Sequence, residues 1–498
     1  MHPSVHARST PDKPACIMAG SGEQVTYAEL EARSNQGAHL LRSLGLKRGD
    51  GIALMLDNTV RFFEIVWAAQ RAGLYYTCVS TRLASRDVEF IVRDSGSTVL
   101  IASSPVSGNL GIDGLTVFAP GARDFIAEAA AFPTTPIADE SPGNDMLYSS
   151  GTTGRPKGIR PPLPEGSLNQ SNALTDFGVK HYGMAQDSVF LSPAPLYHAA
   201  PLRWCMSIQK LGGTVIVMEK FDAEHLLQLI ERFRVTHAQF VPTHFVRMLK
   251  LPDDVRAKYD VSSINVAYHA AAPCPVEVKK AMMAWFGPKI HEFYAGTEAN
   301  GFTAIGPHDW MERPGSVGQA IWGEIRICDE NDDLVPTGEL GTIYFENGPA
   351  FEYHNDPEKT AASRNRHGWT TLGDLGRVDE DGFLYLADRQ SHVIISGGVN
   401  IYPQEIENLL VTHAKIADVA VIGLPDPEMG ERVVAVVQPA DGIVECAELA
   451  KELGNFARAE LGSLKTPKEF LFRDSLPREP TGKLVKRRLV DELRLRTH

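Results

Sequence analysis

Apolar residues recur along the first hundred positions with two alternating periods. Ala38, Leu41 and Leu44 fall at helical spacing behind Thr26-Tyr27-Ala28-Glu29. That T-x-x-E quartet is a capping box, in which the threonine oxygen and the glutamate carboxylate satisfy each other's backbone N–H groups. Gly45 closes the helix as a natural C-cap. After the Gly49-Asp50 turn, Ile52, Leu54 and Leu56 form a short apolar run suited to a buried strand. Phe62, Val66 and Ala69 then share one helical face that closes at Gly73, and positions 75–79 read as the next strand. Strands alternating with helices predict a mostly parallel sheet covered on both faces.

The alternation continues with strand-like runs at 188–192, 214–218, 236–241, 264–268 and 290–294. From about 323 to 388 the texture changes to Gly- and Asp-rich turns, with Asp381-Gly382 set between apolar runs like a hairpin turn, which predicts antiparallel β structure. The last hundred residues change again. Strands are expected at 393–395, 419–423 and 433–437, with helices at 403–411 and 448–461. The fold class expected is therefore α/β: a large N-terminal domain of parallel-rich sheets wrapped by helices with a β-rich part, and a small mobile α+β C-terminal domain. The boundary is placed at 1–388 and 389–498. No internal repeat or low-complexity segment interrupts the pattern.

Composition narrows the function. With 498 residues the chain exceeds one compact core of ~150 residues, and 43% hydrophobic with 22% charged residues is ordinary for a soluble globular protein. A formal net charge of −13 repels a phosphate backbone and argues against a nucleic-acid partner. Any anionic ligand must then be held by local donors. The six cysteines (Cys16, Cys78, Cys205, Cys274, Cys328 and Cys446) stand too far apart for a metal knuckle or a C-x-x-C pair, and read as reduced thiols. Neither the N-terminus nor any later run has the apolar length of a signal or membrane span. A cytoplasmic location is expected.

The strongest local signal is Tyr148-Ser149-Ser150-Gly151-Thr152-Thr153-Gly154-Arg155-Pro156-Lys157-Gly158. Its three glycines let backbone approach an anion, and four Ser/Thr hydroxyls plus Lys157 supply donors. It is not a Walker A loop: Pro156 stands where the second glycine belongs, and Gly158 where Ser or Thr would follow the lysine. The plain alternative is a polar surface loop.

This loop closely resembles the signature of adenylate-forming enzymes, the superfamily of acyl-CoA synthetases, aryl-CoA ligases, luciferases and peptide-synthetase adenylation domains. The resemblance continues in order across nearly the whole chain. Pro195-Leu196-Tyr197-His198 looks like the aromatic-His segment, and Ala270-Ala271-Ala272-Pro273 like the adenine-side turn. Tyr294-Ala295-Gly296-Thr297-Glu298 matches Y-x-x-T-E, and Thr371-Leu372-Gly373-Asp374 the T-x-G-D core. Asp388-Arg389 followed by Ser396-Gly397-Gly398 resembles the hinge and thiol-side motif, and Pro480-Thr481-Gly482-Lys483 the terminal P-T-G-K. Several of these segments follow strand-like runs, and the carboxyl edge of a parallel sheet is where ligands bind.

The resemblance implies an ATP-dependent acid–thiol ligase, with ATP, Mg²⁺ and coenzyme A as cofactors and a small carboxylic acid as partner. It assigns Ser149, Ser150, Gly151, Thr152, Thr153, Gly154 and Lys157 to the phosphates, and Ala270, Ala271, Tyr294 and Ala295 to adenine. Thr297 would donate to a phosphate, Glu298 would hold Mg²⁺, and Asp374 and Arg389 would bind the ribose. Lys483 would bridge the acid and the α-phosphate during adenylation only, so Lys483, Glu298, His198 and Thr153 form the catalytic set. Gly397 and Gly398 would let pantetheine pass. On residue type alone each has a plainer reading: Glu298 a cap, Asp374 half of a turn, Lys483 a solvated lysine, His198 a core histidine. Ser391 departs from the family, whose hinge commonly has Asp or Lys there.

The acyl pocket is expected from His198, Trp204, His269 and Phe302. These are bulky and mostly apolar, with Arg203 the one conspicuous cation nearby. A hydrophobic monocarboxylic acid is expected, whether fatty, aromatic, alicyclic or steroid-like, in keeping with fatty acid metabolism. The alternatives are a carrier-protein pantetheine as acceptor, a luciferase-like oxygenase and a non-catalytic nucleotide-binding relative. The oligomeric state, a homodimer included, stays open.

Overall fold

The computed structural model describes residues 1–104, 110–149, 156–478 and 484–495. The chain divides into two compact units. One comprises Met1–Phe240, Leu251–Ala267 and Ala350–Ala361, the other Val241–Lys250, Tyr268–Pro349 and Ala362–His498. The fold class is the expected mixture: parallel sheets wrapped by helices, an antiparallel part, and a small C-terminal α+β layer.

In the first unit the capping box forms as the sequence predicts. The Thr26 side chain accepts from Glu29 N, and Glu29 accepts from Thr26 N, at the start of helix Tyr27–Ser43. The apolar run after Asp50 becomes strand Gly51–Met55, central in a five-stranded parallel sheet. The order is Thr116–Phe118, Ser97–Ala102, Gly51–Met55, Tyr75–Cys78 and Asn144–Asp145. A second group of parallel strands runs Pro14–Met18, Thr214–Val217, Val189–Ser192 and His237–Phe240, with Gln24–Thr26 antiparallel at its edge. Their residues are buried in continuous runs, as strands covered on both faces require.

The second unit contains the predicted antiparallel β region. Ile290–Ala295, Phe302–Ile305, Ser316–Trp322, Leu384–Arg389, Asp374–Val378, Gly341–Glu346 and Glu324–Cys328 pair in that order. The Asp381-Gly382 turn joins two of these strands; Gly382 has φ 81°, and Asp379 accepts from the backbone N–H of Asp381 and Phe383.

The C-terminal layer lies within this unit. Val399–Ile401, Ile394–Ser396, Gly430–Pro439 and Ile416–Asp426 form its sheet, with Glu469–Phe472 parallel beside Gly430–Pro439. Alternation with period two divides the central strand's side chains. Val433, Ala435 and Val437 pack with Leu449 and Leu453, while Val434 and Val436 pack with Leu489 and Leu493. The sheet is thereby covered on both sides by helices Ala447–Lys465 and Lys486–Leu495. The former is interrupted at Gly462, whose φ of 73° is not helical. The strands at 416–426 and 430–439 run longer than expected, because polar residues continue the ladder past the apolar centre.

Candidate active site

The glycine–hydroxyl loop is held at its two ends. Leu147–Ser149 and Lys157–Ile159 form an antiparallel pair in which Ser149 faces Lys157 and Tyr148 faces Gly158. The expectation that the loop leaves a strand is met, but this strand belongs to a separate two-stranded sheet, not to a parallel one. Gly158 is required by contact: an added Cβ would lie 2.9 Å from Tyr148 Cζ. The Tyr148 hydroxyl donates to Asp94 Oδ2 at 2.6 Å, and burial, reinforced by that carboxylate, pushes the phenol up. Lys157 lies with its ammonium 5.0 Å from the Tyr353 ring centroid. Ser150, Gly151, Thr152, Thr153 and Gly154 lie outside the described residues, as does Lys483.

His198 stands at the N-cap of helix Ala199–Leu211, beyond the carboxyl end of strand Val189–Ser192. Its ring packs on Tyr197 at 4.6 Å between centroids. Trp204, on the same helix, is turned into the core against Tyr182 and Phe177. A Cβ added at Gly178 would meet its ring at 3.1 Å, so the small residue at 178 admits the indole. Arg203 makes a bidentate pair with Asp145, with Nε to Oδ2 at 2.7 Å and Nη2 to Oδ1 at 3.0 Å.

In the second unit three expected ribose- and adenine-side residues come together. Asp374 pairs in register with Arg389, and the Arg389 Nε lies 3.1 Å from Asp374 Oδ1. The Tyr294 hydroxyl donates to Asp374 Oδ2 at 2.7 Å. Burial first, and then the Asp374 charge, push the Tyr294 phenol well above its ordinary value, so it stays a donor at neutral pH. Its ring stacks on Phe345 at 6.4 Å. Ala295 ends the Ile290–Ala295 strand and pairs with Phe302. Thr297 and Glu298 occupy the half-buried turn that follows. Gly296 has no room for a side chain there: a Cβ would lie 2.5 Å from Leu372 and 2.8 Å from Glu298 Oε2. The Glu298 carboxylate therefore lies over its own turn beside the Thr371–Asp374 segment. Among the described residues no group of three or more His, Cys, Asp or Glu gathers as a metal nest.

Ala270 is buried and Ala271 exposed at the end of strand Val266–His269. Ala271 has φ 74°, a left-handed conformation costly for a residue with a Cβ. His269 lies fully inside, with Nε2 3.3 Å from Glu292 Oε2. The same oxygen accepts from Lys279 Nζ at 2.6 Å, and Lys279 lies 4.6 Å from the Trp310 ring. Burial pushes the Glu292 carboxyl up, but His269 and Lys279 outweigh it and bring it down to about 2. Burial also holds the His269 ring below its ordinary value. Phe302 stacks on Phe293 at 5.1 Å and 13° and tilts against Trp322 at 4.7 Å.

Gly397 and Gly398 form the two-residue loop between Ile394–Ser396 and Val399–Ile401, with φ of 58° and 78°. Two consecutive positive φ values make the hairpin turn that Gly-Gly permits. Space beside Gly398 is open, whereas a Cβ at Gly397 would meet Met429. Asp388, outside the expected site residues, organises the first turn of a helix that follows it. Its Oδ2 accepts from Gln404 N at 2.9 Å, at the first turn of helix Pro403–Leu410, and His392 Nδ1 lies 3.3 Å from Oδ1. A side chain capping a helix sixteen positions away leaves no local spacing to read.

A model of the family described as AMP-binding enzyme matches residues 4–351, and one described as AMP-binding enzyme C-terminal domain matches 405–483. The chain belongs to the AMP-binding enzyme family. This is the adenylate-forming acyl-CoA synthetase superfamily, and the protein is an ATP-dependent, AMP-forming ligase. It is 31% identical over 492 residues to the long-chain-fatty-acid–CoA ligase FadD13 of Mycobacterium tuberculosis, covering 96% of this chain and 95% of that one. It is 34% identical over 499 residues to a feruloyl-CoA synthase of Amycolatopsis, covering 97% and 96%. The crystal structure of ATP-bound MatB from Rhodopseudomonas palustris superposes with a TM-score of 0.82 at 27% identity, covering 99% of both chains. No helix among the described residues is long and apolar enough to cross a membrane.

Proposed function

We propose that this ligase activates a hydrophobic monocarboxylic acid and transfers it to free coenzyme A in the cytoplasm. A carboxylate oxygen attacks the α-phosphorus of ATP, the bond to pyrophosphate breaks, and a mixed acyl–AMP anhydride forms. The thiol sulfur of coenzyme A then attacks the acyl carbon, AMP leaves, and the thiol proton passes to solvent. Catalysis of this kind rests mostly on positioning and charge stabilisation.

The observation that carries the reading is the Tyr294–Asp374–Arg389 constellation. Tyr294 stands 80 positions before Asp374, yet it and Arg389 share the Asp374 carboxylate. Arg389 and Tyr294 orient Asp374 for the ribose hydroxyls. The aromatic cluster of Phe293, Phe302 and Trp322, whose two phenylalanines are buried, supports an apolar acid, as do relatives named for fatty and ferulic acids.

Glu298 fits Mg²⁺ as a single hard oxygen donor on a half-buried turn, the kind of ligand that Mg²⁺ combines with water and phosphate oxygens. The ion, when bound, would neutralise phosphate charge. Lys157 and the hydroxyls beside it hold phosphate, His198 sits by the acyl carboxylate, and Lys483 bridges acid and α-phosphate. The 1–388 and 389–498 segments act as separate bodies that pivot at Asp388–Ser391, bringing Gly397 and Gly398 to the thiol.

A carboxylate panel assayed for AMP release, with and without coenzyme A, tests the reading. Hydrophobic monocarboxylic acids should turn over, and coenzyme A should outperform a pantetheine-loaded carrier protein. Each buried methylene should contribute up to ~0.8 kcal/mol until the pocket ends; indifference to added carbon would refute an apolar pocket. Lys483→Ala should lose ~10²–10³ in adenylation and spare thioester formation from supplied acyl-adenylate. Equal losses in both half-reactions would remove the assigned role.

A further inference from the structure

We propose that Asp145 is a specificity-determining residue, one that neutralises Arg203 and so denies an acidic far end of the substrate a cationic partner. The inference rests on reading the His198 helix as part of the acid-binding region.

Arg203 is one helical turn and a half beyond His198 on helix Ala199–Leu211. It is the one Lys or Arg in the first half of that helix. A guanidinium so placed would match a second carboxylate bidentately. Asp145 already has that geometry. Both of its oxygens engage the guanidinium at 2.7 and 3.0 Å, and the Asp145 side chain is 5% exposed against 30% for Arg203.

The asymmetry in burial is informative. A carboxylate this enclosed needs a cation, because an unpaired buried charge is costly. Asp145 is fixed by its strand: Asn144–Asp145 pairs in parallel with Tyr75–Cys78, with Asp145 facing Tyr76. The Tyr76 hydroxyl turns instead to Met206 Sδ at 3.6 Å. The guanidinium, whose outer part reaches solvent, is therefore tethered from its buried side. An incoming ω-carboxylate meets a paired cation and a nearby buried anion, and the pair discriminates against it. A methyl or other neutral end meets no such penalty.

The test compares a monocarboxylic acid with the dicarboxylic acid of equal chain length. Wild-type enzyme should favour the monocarboxylate and accept an ω-methyl ester far better than the free ω-acid. In Asp145→Asn the shape is kept and the Arg203 charge is no longer offset. The dicarboxylate-to-monocarboxylate ratio of kcat/KM should then rise about ten- to a hundredfold, the size of one charge-assisted hydrogen bond. An active, folded Asp145→Asn with an unchanged ratio would overturn the proposal. So would wild-type enzyme that takes ω-acid and ω-ester equally, a measurement that needs no variant to fold. Failure of wild-type enzyme to activate any carboxylic acid would instead strike the functional reading on which this one rests.

Discussion

Asp374 and Arg389 face each other across an antiparallel strand pair, with Arg389 Nε 3.1 Å from Asp374 Oδ1. The other oxygen of that carboxylate accepts from Tyr294 at 2.7 Å. Both partners hold the carboxylate in one orientation. Tyr294→Phe deletes one hydrogen bond while keeping the ring on Phe345. A hydrogen bond to a charged group contributes about 1.5–3 kcal/mol, so the KM for ATP should rise roughly ten- to a hundredfold. Steady-state ATP–pyrophosphate exchange reads this directly. An unchanged KM would mean that Asp374 needs no such support.

Lys279, Glu292 and His269 form an enclosed charged group within the second unit. Lys279→Met leaves Glu292 without its ammonium, and stranding one member of a buried pair costs about 3–5 kcal/mol. Lys279→Met/Glu292→Gln removes both charges and should recover much of that loss. Urea denaturation of the two variants checks the order. Equal destabilisation in both would show that the charges do not depend on each other.

Ala271 holds a φ of 74° at the end of the Val266–His269 strand. Left-handed backbone costs an alanine about 1–2 kcal/mol, part of which glycine loses again through its freer unfolded chain. Ala271→Gly should therefore raise stability by about 0.5–1 kcal/mol. Differential scanning calorimetry measures it, and a lowered Tm would contradict the strain.

His244 is buried within helix Pro242–Leu249, and its Nδ1 accepts from Val241 N. Burial lowers its pKa to about 3. The folded pKa lies below the unfolded one, so the unfolded chain binds more protons between pH 6.5 and 3. Stability from this group is present above pH 6.5 and falls as the pH drops below it. Between pH 7 and 5 the loss should be about 1–2 kcal/mol. His244→Gln keeps an acceptor and should flatten that part of the pH profile in urea titrations. Glu292, held down to about 2, adds loss only at lower pH, between about 4.5 and 2.

Local physics made much of this protein legible. The T-x-x-E box predicts its helix start because both of its bonds close within four residues. Burial continuous along strands such as Thr214–Val217 betrays a sheet covered on both faces. The helix Pro3–Ser9 and the strand Glu469–Phe472 escape such reading. The first is too short to show a period, and the second takes its place from pairing with Gly430–Pro439.

The ordered motifs pointed by resemblance to the adenylate-forming family, which the family models matching residues 4–351 and 405–483 then showed. They could not show that Arg203 is neutralised by Asp145, that His269 shares a carboxylate with Lys279, or that Trp204 turns toward Gly178. Those outcomes depend on which side chains meet across distant segments, and on how much water is left between them. Charge pairing and burial are properties of the packed molecule, so only the tertiary structure decided them.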